Sequence, residues 1–184
     1  MGKTLIKGTL LGGIILFIWV ALSWMALPWH CATLKSFNEE NSVAELIKSN
    51  TTESGIYVLP HMCEGNTEHL DTTQGPLVFS VVRRDGYDFS SPKPYIISLV
   101  IDLIAAFFVT YLLLQMRAST YWHRVWFVTV FGIAAGILAM FPNWNWWGFS
   151  WDYTLVGFLD FVIAWFLAGL ALAAITKRAY KIPT

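Results

Sequence analysis

Four stretches of the chain are apolar over nearly their whole length, at roughly Gly8 to Leu27, Tyr95 to Leu114, Val125 to Phe141 and Tyr153 to Thr176. Each comes close to the ~20 residues with which an α-helix covers the hydrocarbon of a bilayer. The pattern predicts an all-α membrane protein, a bundle of four transmembrane helices, with the third span the shortest. Between the first and second spans the pattern turns polar, from Pro28 to Lys93. There Ser42-Val43-Ala44-Glu45 fits a capping box, in which a hydroxyl and a carboxylate satisfy orphan backbone donors, and predicts a short helix from Val43 to about Lys48. The runs Gly55 to Leu59 and Pro76 to Val82 are β-branched and aromatic between turn residues and read as strands, with a turn at Asp85-Gly86. A small mixed α/β cap between helices one and two follows. So small a cap needs the bundle beneath it. The chain divides into residues 1–28, the N-terminal tip and first span; 29–93, the cap; and 94–184, the other three spans and the C-terminus.

Composition agrees with the pattern: 56% hydrophobic residues, 13% charged and ten Trp are far from the averages of a water-soluble domain. The formal net charge of zero gives no nucleic-acid footprint, and no nucleic-acid partner is expected. Placement of the charges says more. Lys3 and Lys7 precede the first span, Arg117 and Arg124 lie between the second and third, and Lys177, Arg178 and Lys181 follow the fourth, with no acidic residue among them. The cap carries nine acidic residues against five basic ones, and the last hairpin adds Asp152. Short basic segments stay on the cytoplasmic side, so both termini are expected there and the cap outside. The N-terminus resembles a signal peptide, yet Trp24 to Cys31 offers no small-x-small cleavage site and no small residues ahead of Cys31 for lipidation. A retained signal anchor is expected.

Candidate chemistry begins with Asp102 and Asp160, the two acidic residues inside the spans. A carboxylate at mid-membrane costs about 2.5 to 3.5 kcal/mol, so each is expected to face the interior and to need a partner there. Each falls seven residues after its span begins, about 10 Å down at 1.5 Å per residue, so the two could meet. Ser98, Asp102, Ala106 and Thr110 form a small or polar stripe at four-residue steps, and Asp160 shares its face with Gly157, Ala164 and Ala168. Such a pair suits interhelical hydrogen bonding, a proton or cation site, or a subunit contact. Cys31 and Cys63, both outside, suit a disulfide; the alternative is a metal site of His30, Cys31, His61 and Cys63, with Met62 beside it. No other cofactor is expected. His residues are not paired within the spans for haem, and no P-loop, Gly-x-Ser-x-Gly elbow or His-Glu-x-x-His pair occurs.

The segment Pro142 to Asp152 reads as a loop placing Trp144, Trp146, Trp147 and Trp151 at the outer interface, where indole rings anchor or could stack on a lipid or aromatic ligand. Gly8 and Gly12, Gly132 and Gly136, and Ala164 and Ala168 match the small-xxx-small spacing of close helix contacts, within one chain or between chains.

The layout of four helices, a long first outer loop and two outer cysteines resembles that of claudins, but the claudin signature is absent, so no claudin function is implied. The Leu27-Pro-Trp-His30 exit from the first span, the Asn143-Trp-Asn-Trp-Trp147 run and Ser54 to Pro60 together resemble an uncharacterised family of bacterial four-helix inner-membrane proteins. That likeness implies a bacterial inner membrane and no activity. No catalytic constellation is complete, so the expected function is a non-enzymatic membrane component, surrounded by lipid, that assembles with itself or with a larger complex. The alternatives are a small proton- or cation-coupled transporter or channel using Asp102 and Asp160, and an outer metal or redox module.

Overall fold

The computed structural model describes residues 1–61, 73–116 and 120–177. Four helices among them are long and apolar enough to cross a membrane: α1 (Gly2–Met25), α4 (Pro92–Gln115), α5 (Tyr121–Trp147) and α6 (Trp151–Lys177). Between α1 and α4 lie α2 (Trp29–Thr33), α3 (Glu40–Asn50) and two strands, β1 (Gly55–Leu59) and β2 (Val78–Val82).

Local chemistry sets the ends of the long helices. Ser91 caps α4 by accepting from the Lys93 amide, with Pro92 at the first helical position, where a missing N–H costs nothing. Just before it the Asp88 carboxylate accepts from the Ser90 hydroxyl and amide, which hold it below the usual carboxylate range. Thr120 caps α5 by accepting from the His123 amide. The segment read as a loop from Pro142 is helical as far as Trp147, and only residues 148–150 connect α5 to α6. Pro142 sits inside the helix, where it forfeits one backbone bond, and termination waits for Gly148. At φ +69° Gly148 takes the left-handed conformation that ends helices, and its amide and that of Phe149 both return to the Asn143 carbonyl. The third span is therefore as long as the fourth.

The long helices pack in the order α4, α1, α6, α5: α1 lies against both α4 and α6, α5 lies along α6, and α4 touches α6 only lightly. Small residues make these approaches close. Gly8 lies against Thr110, and a Cβ on Gly12 would stand 3.1 Å from the Ala106 Cβ and 3.2 Å from Leu172 Cδ2. On α5, Gly132 lies against Trp165 and Phe161, and Gly136 against Phe158 and Phe161. Ala106, Val109, Leu113, Val128, Ala168 and Leu172 form the fully buried core. Most other large apolar side chains on the long helices are exposed, as lipid-facing residues would be.

In the cap, β1 and β2 pair antiparallel, Gly55 opposite Val82 and Leu59 opposite Val78. The helix beside them starts at Glu40, earlier than the Ser42 capping box would place it, and has no side-chain cap. Arg84 ties helix to hairpin: its guanidinium donates to the Lys48 carbonyl at 2.7 Å and to the Thr51 hydroxyl and carbonyl at the C-terminal end of α3, where the helix dipole favours a cation. Phe79 of β2 seats the cap on the bundle, its ring 4.7 Å from that of Trp147 and 6.1 Å from Phe149.

Candidate functional site

Asp160 lies nine residues into α6, about 14 Å along the helix, at a depth where an unpaired carboxylate would be costly. It is not unpaired. Oδ1 accepts from the Trp19 indole at 3.1 Å and from the Ser23 hydroxyl at 2.6 Å, both on α1. Oδ2 lies 2.7 Å from His30 Nε2. His30 reaches it because Pro28 ends the α1 exit and α2 folds back onto the bundle, burying the imidazole to 3% exposure. Trp24 stacks on that ring, 3.8 Å between centroids and 11° from parallel, while the Trp29 indole donates to Ser23 Oγ at 2.9 Å.

With Asp160 ionised, the donor count places the protons. Ser23 gives its one hydrogen to Asp160, so its oxygen can only accept from His30 Nε2, 3.0 Å away. With a carboxylate and an accepting hydroxyl on the same nitrogen, Nε2 carries the proton. A serine, a histidine and an aspartate are thus gathered, but not as a nucleophilic triad. In a triad the histidine accepts the serine proton through one ring nitrogen and binds the carboxylate through the other. Here both contacts fall on Nε2 and the serine donates directly to the aspartate. The cluster holds a carboxylate in place and activates no hydroxyl.

Asp102 lies ten residues into α4, at nearly the same depth. Its environment is the opposite: Oδ2 is buried and has no hydrogen-bond partner among the described residues. No hydrogen bond joins the two carboxylates, but both line one cavity of about 370 Å³. All four long helices contribute walls: Leu16 and Val20 from α1, Ala105 from α4, Met140 from α5, and Phe161 and Trp165 from α6. His30 belongs to the same lining, as do Trp24 and Ile101, 47% and 59% exposed.

The remaining sequence candidates separate. Ser98 lines a neighbouring, smaller cavity with Trp24, and Thr110 is fully buried against Gly8 without a partner for its hydroxyl. Ala164 and Ala168 are buried in the core. Trp144 and Trp151 meet edge to face at 5.4 Å, Trp147 carries Phe79, and Trp146 is 75% exposed. Cys31 is exposed, and Cys63 and Met62 lie outside the described residues. His30 points to Asp160, and no group of three or more metal-ligating side chains occurs among the described residues. In the sequence His30 is a ligand only of the alternative metal site with the outer cysteines, and Trp19, Ser23 and Trp24 are not site candidates. The signal available was the pair Ser23 and His30 around a helix exit at Pro28, polar residues at the end of a span that could fold back.

Residues 80–173, slightly more than half of the chain, match the model of a family described as a protein of unknown function, DUF1761. The matched region contains both aspartates and ends before α6 does, while α1 and α2, which hold Asp160, precede it. No curated protein and no solved structure matches the chain.

Proposed function

The chain belongs to the DUF1761 family, and from that premise we propose that it is a non-enzymatic multi-pass membrane protein whose work is done in the intramembrane cavity, where Asp102 takes up a proton or another cation. One observation carries this reading: the Asp102 carboxylate has a buried oxygen with no partner, beside a second carboxylate that has three. A carboxylate kept only to join helices would be expected to have a partner on a neighbouring helix, as Asp160 has. An unsatisfied one in a cavity is a group awaiting a ligand. The resemblance to bacterial inner-membrane proteins points to that membrane, and the charge bias of the segments supports cytoplasmic termini and an outer cap, which puts the two carboxylates nearer the outer face. There Cys31 and Cys63 would form a disulfide. Two alkylated thiols in the non-reduced protein would overturn that pairing.

Reconstitution into liposomes tests the reading. Proton or cation uptake by the wild-type protein is expected to fall at least tenfold in Asp102→Asn at unchanged protein recovery. No wild-type uptake, or equal uptake by the variant, would remove the proposal. Assembly with itself or with a larger complex receives no support from the glycine pairs, since each faces a neighbour inside the chain. Purification from native membranes decides it, a solitary monomer arguing against.

A further inference from the structure

Given that reading of Asp102, the geometry points to an organic cation as the ligand of this cavity: a quaternary or protonated amine with an apolar body, rather than a bare metal ion. We infer this from the number of donors, the size of the cavity, its lining and its charge.

The donors are too few for an inorganic ion. A hard cation such as calcium takes 6 to 8 oxygen ligands, and magnesium or zinc also needs several converging groups. Asp102 is one carboxylate, Asp160 is already held by Trp19, Ser23 and His30, and no set of three or more ligating side chains occurs among the described residues. A cavity of about 370 Å³ is also far larger than a desolvated metal ion requires. It falls in the range of roughly 300 to 1,000 Å³ typical of organic ligand sites, which combine apolar walls with a few placed polar groups.

The lining matches a charged head on an apolar body. Leu16, Val20, Ile101 and Met140 supply aliphatic wall, and Trp24, Tyr153, Phe161 and Trp165 supply the aromatic rings that hold organic ammonium groups through their electron-rich faces. The charge is complementary in either state of the histidine. With His30 protonated it cancels Asp160, and an ionised Asp102 leaves one negative charge; with His30 neutral, two remain. A monovalent cation beside Asp102 answers the first case fully and the second in part. The half-exposed Trp24 and Ile101 in the lining suit a ligand that partitions into the membrane before it enters.

The test is equilibrium binding of benzyltrimethylammonium to the full chain in dodecyl maltoside micelles, compared with its neutral isostere (2,2-dimethylpropyl)benzene. The expected result is saturable binding of one cation per chain, at least tenfold tighter than the isostere and at least tenfold weakened in Asp102→Asn. A second variant, Ala105→Phe, fills the cavity while keeping both carboxylates in the chain and should weaken binding by a similar factor. Equal binding of cation and isostere, no saturable binding, or full binding by both variants would overturn the inference. The liposome assay separates the two failures. Asp102-dependent uptake of protons or sodium without binding of the organic cation would leave the proposed function standing and this inference wrong, whereas Asp102→Asn without effect on either would end both.

Discussion

Three donors converge on the Asp160 carboxylate and none on Asp102 Oδ2, although the two residues sit at nearly the same depth. The difference predicts opposite responses to substitution. Removing one partner of a buried pair leaves the other charged group without compensation, and such losses cost about 3 to 5 kcal/mol. Asp160 is 13% exposed, so Asp160→Asn and His30→Ala are expected near the lower end, about 3 kcal/mol, read as a lowered unfolding midpoint in detergent. Asp102→Leu removes a desolvated group that has no partner and adds apolar contact, so its midpoint should be unchanged or higher. A large loss of stability in Asp102→Leu would assign Asp102 a structural role and count against the cavity as a binding site.

Between elements the closeness of helices is decided by what a glycine faces. A Cβ on Gly132 would meet the Phe161 carbonyl oxygen at 2.9 Å and the Trp165 Cβ at 2.5 Å, neither of which can swing aside. Gly132→Ala should therefore push α5 from α6 and cost about 1 to 3 kcal/mol. The nearest atoms to Gly157 are the end of the Met140 side chain, which is flexible, and Gly157→Ala should cost less than about 1 kcal/mol by the same unfolding measurement. Equal costs would mean that α5 and α6 do not approach as described. In the cap, Phe79→Ala removes the ring against Trp147 and should raise hydrogen exchange in β1 and β2 while leaving the long helices protected.

For the whole molecule the direction of insertion is the property to test. Reporter fusions after Lys7 and after Lys177 should be active only on the cytoplasmic side, and a fusion within α3 only outside. Shifting basic residues is the sharper variant: replacing Lys3 and Lys7 together by Gln should produce a measurable fraction of inverted chains if the charge bias sets the topology.

The sequence is enough for the four long apolar helices and the two strands, because these depend on local composition. A run of some twenty apolar residues has little alternative to a membrane helix, and Gly55 to Leu59 reads as a strand from its own residues. It also singled out Asp102 and Asp160, since a carboxylate in an apolar run stands out without any knowledge of its neighbours. The end of α5 was less legible: the Pro and Asn at 142 and 143 are turn residues, yet the helix passes through them because Gly148 supplies the one left-handed position nearby. The difference between the two aspartates arises from how the helices pack. His30 meets Asp160 across 130 residues of chain because α2 folds back under the constraint of Pro28, and no such fold reaches Asp102. Periodicity and spacing give depth along one helix, but the identity of a partner depends on how separate helices are rotated and packed against each other.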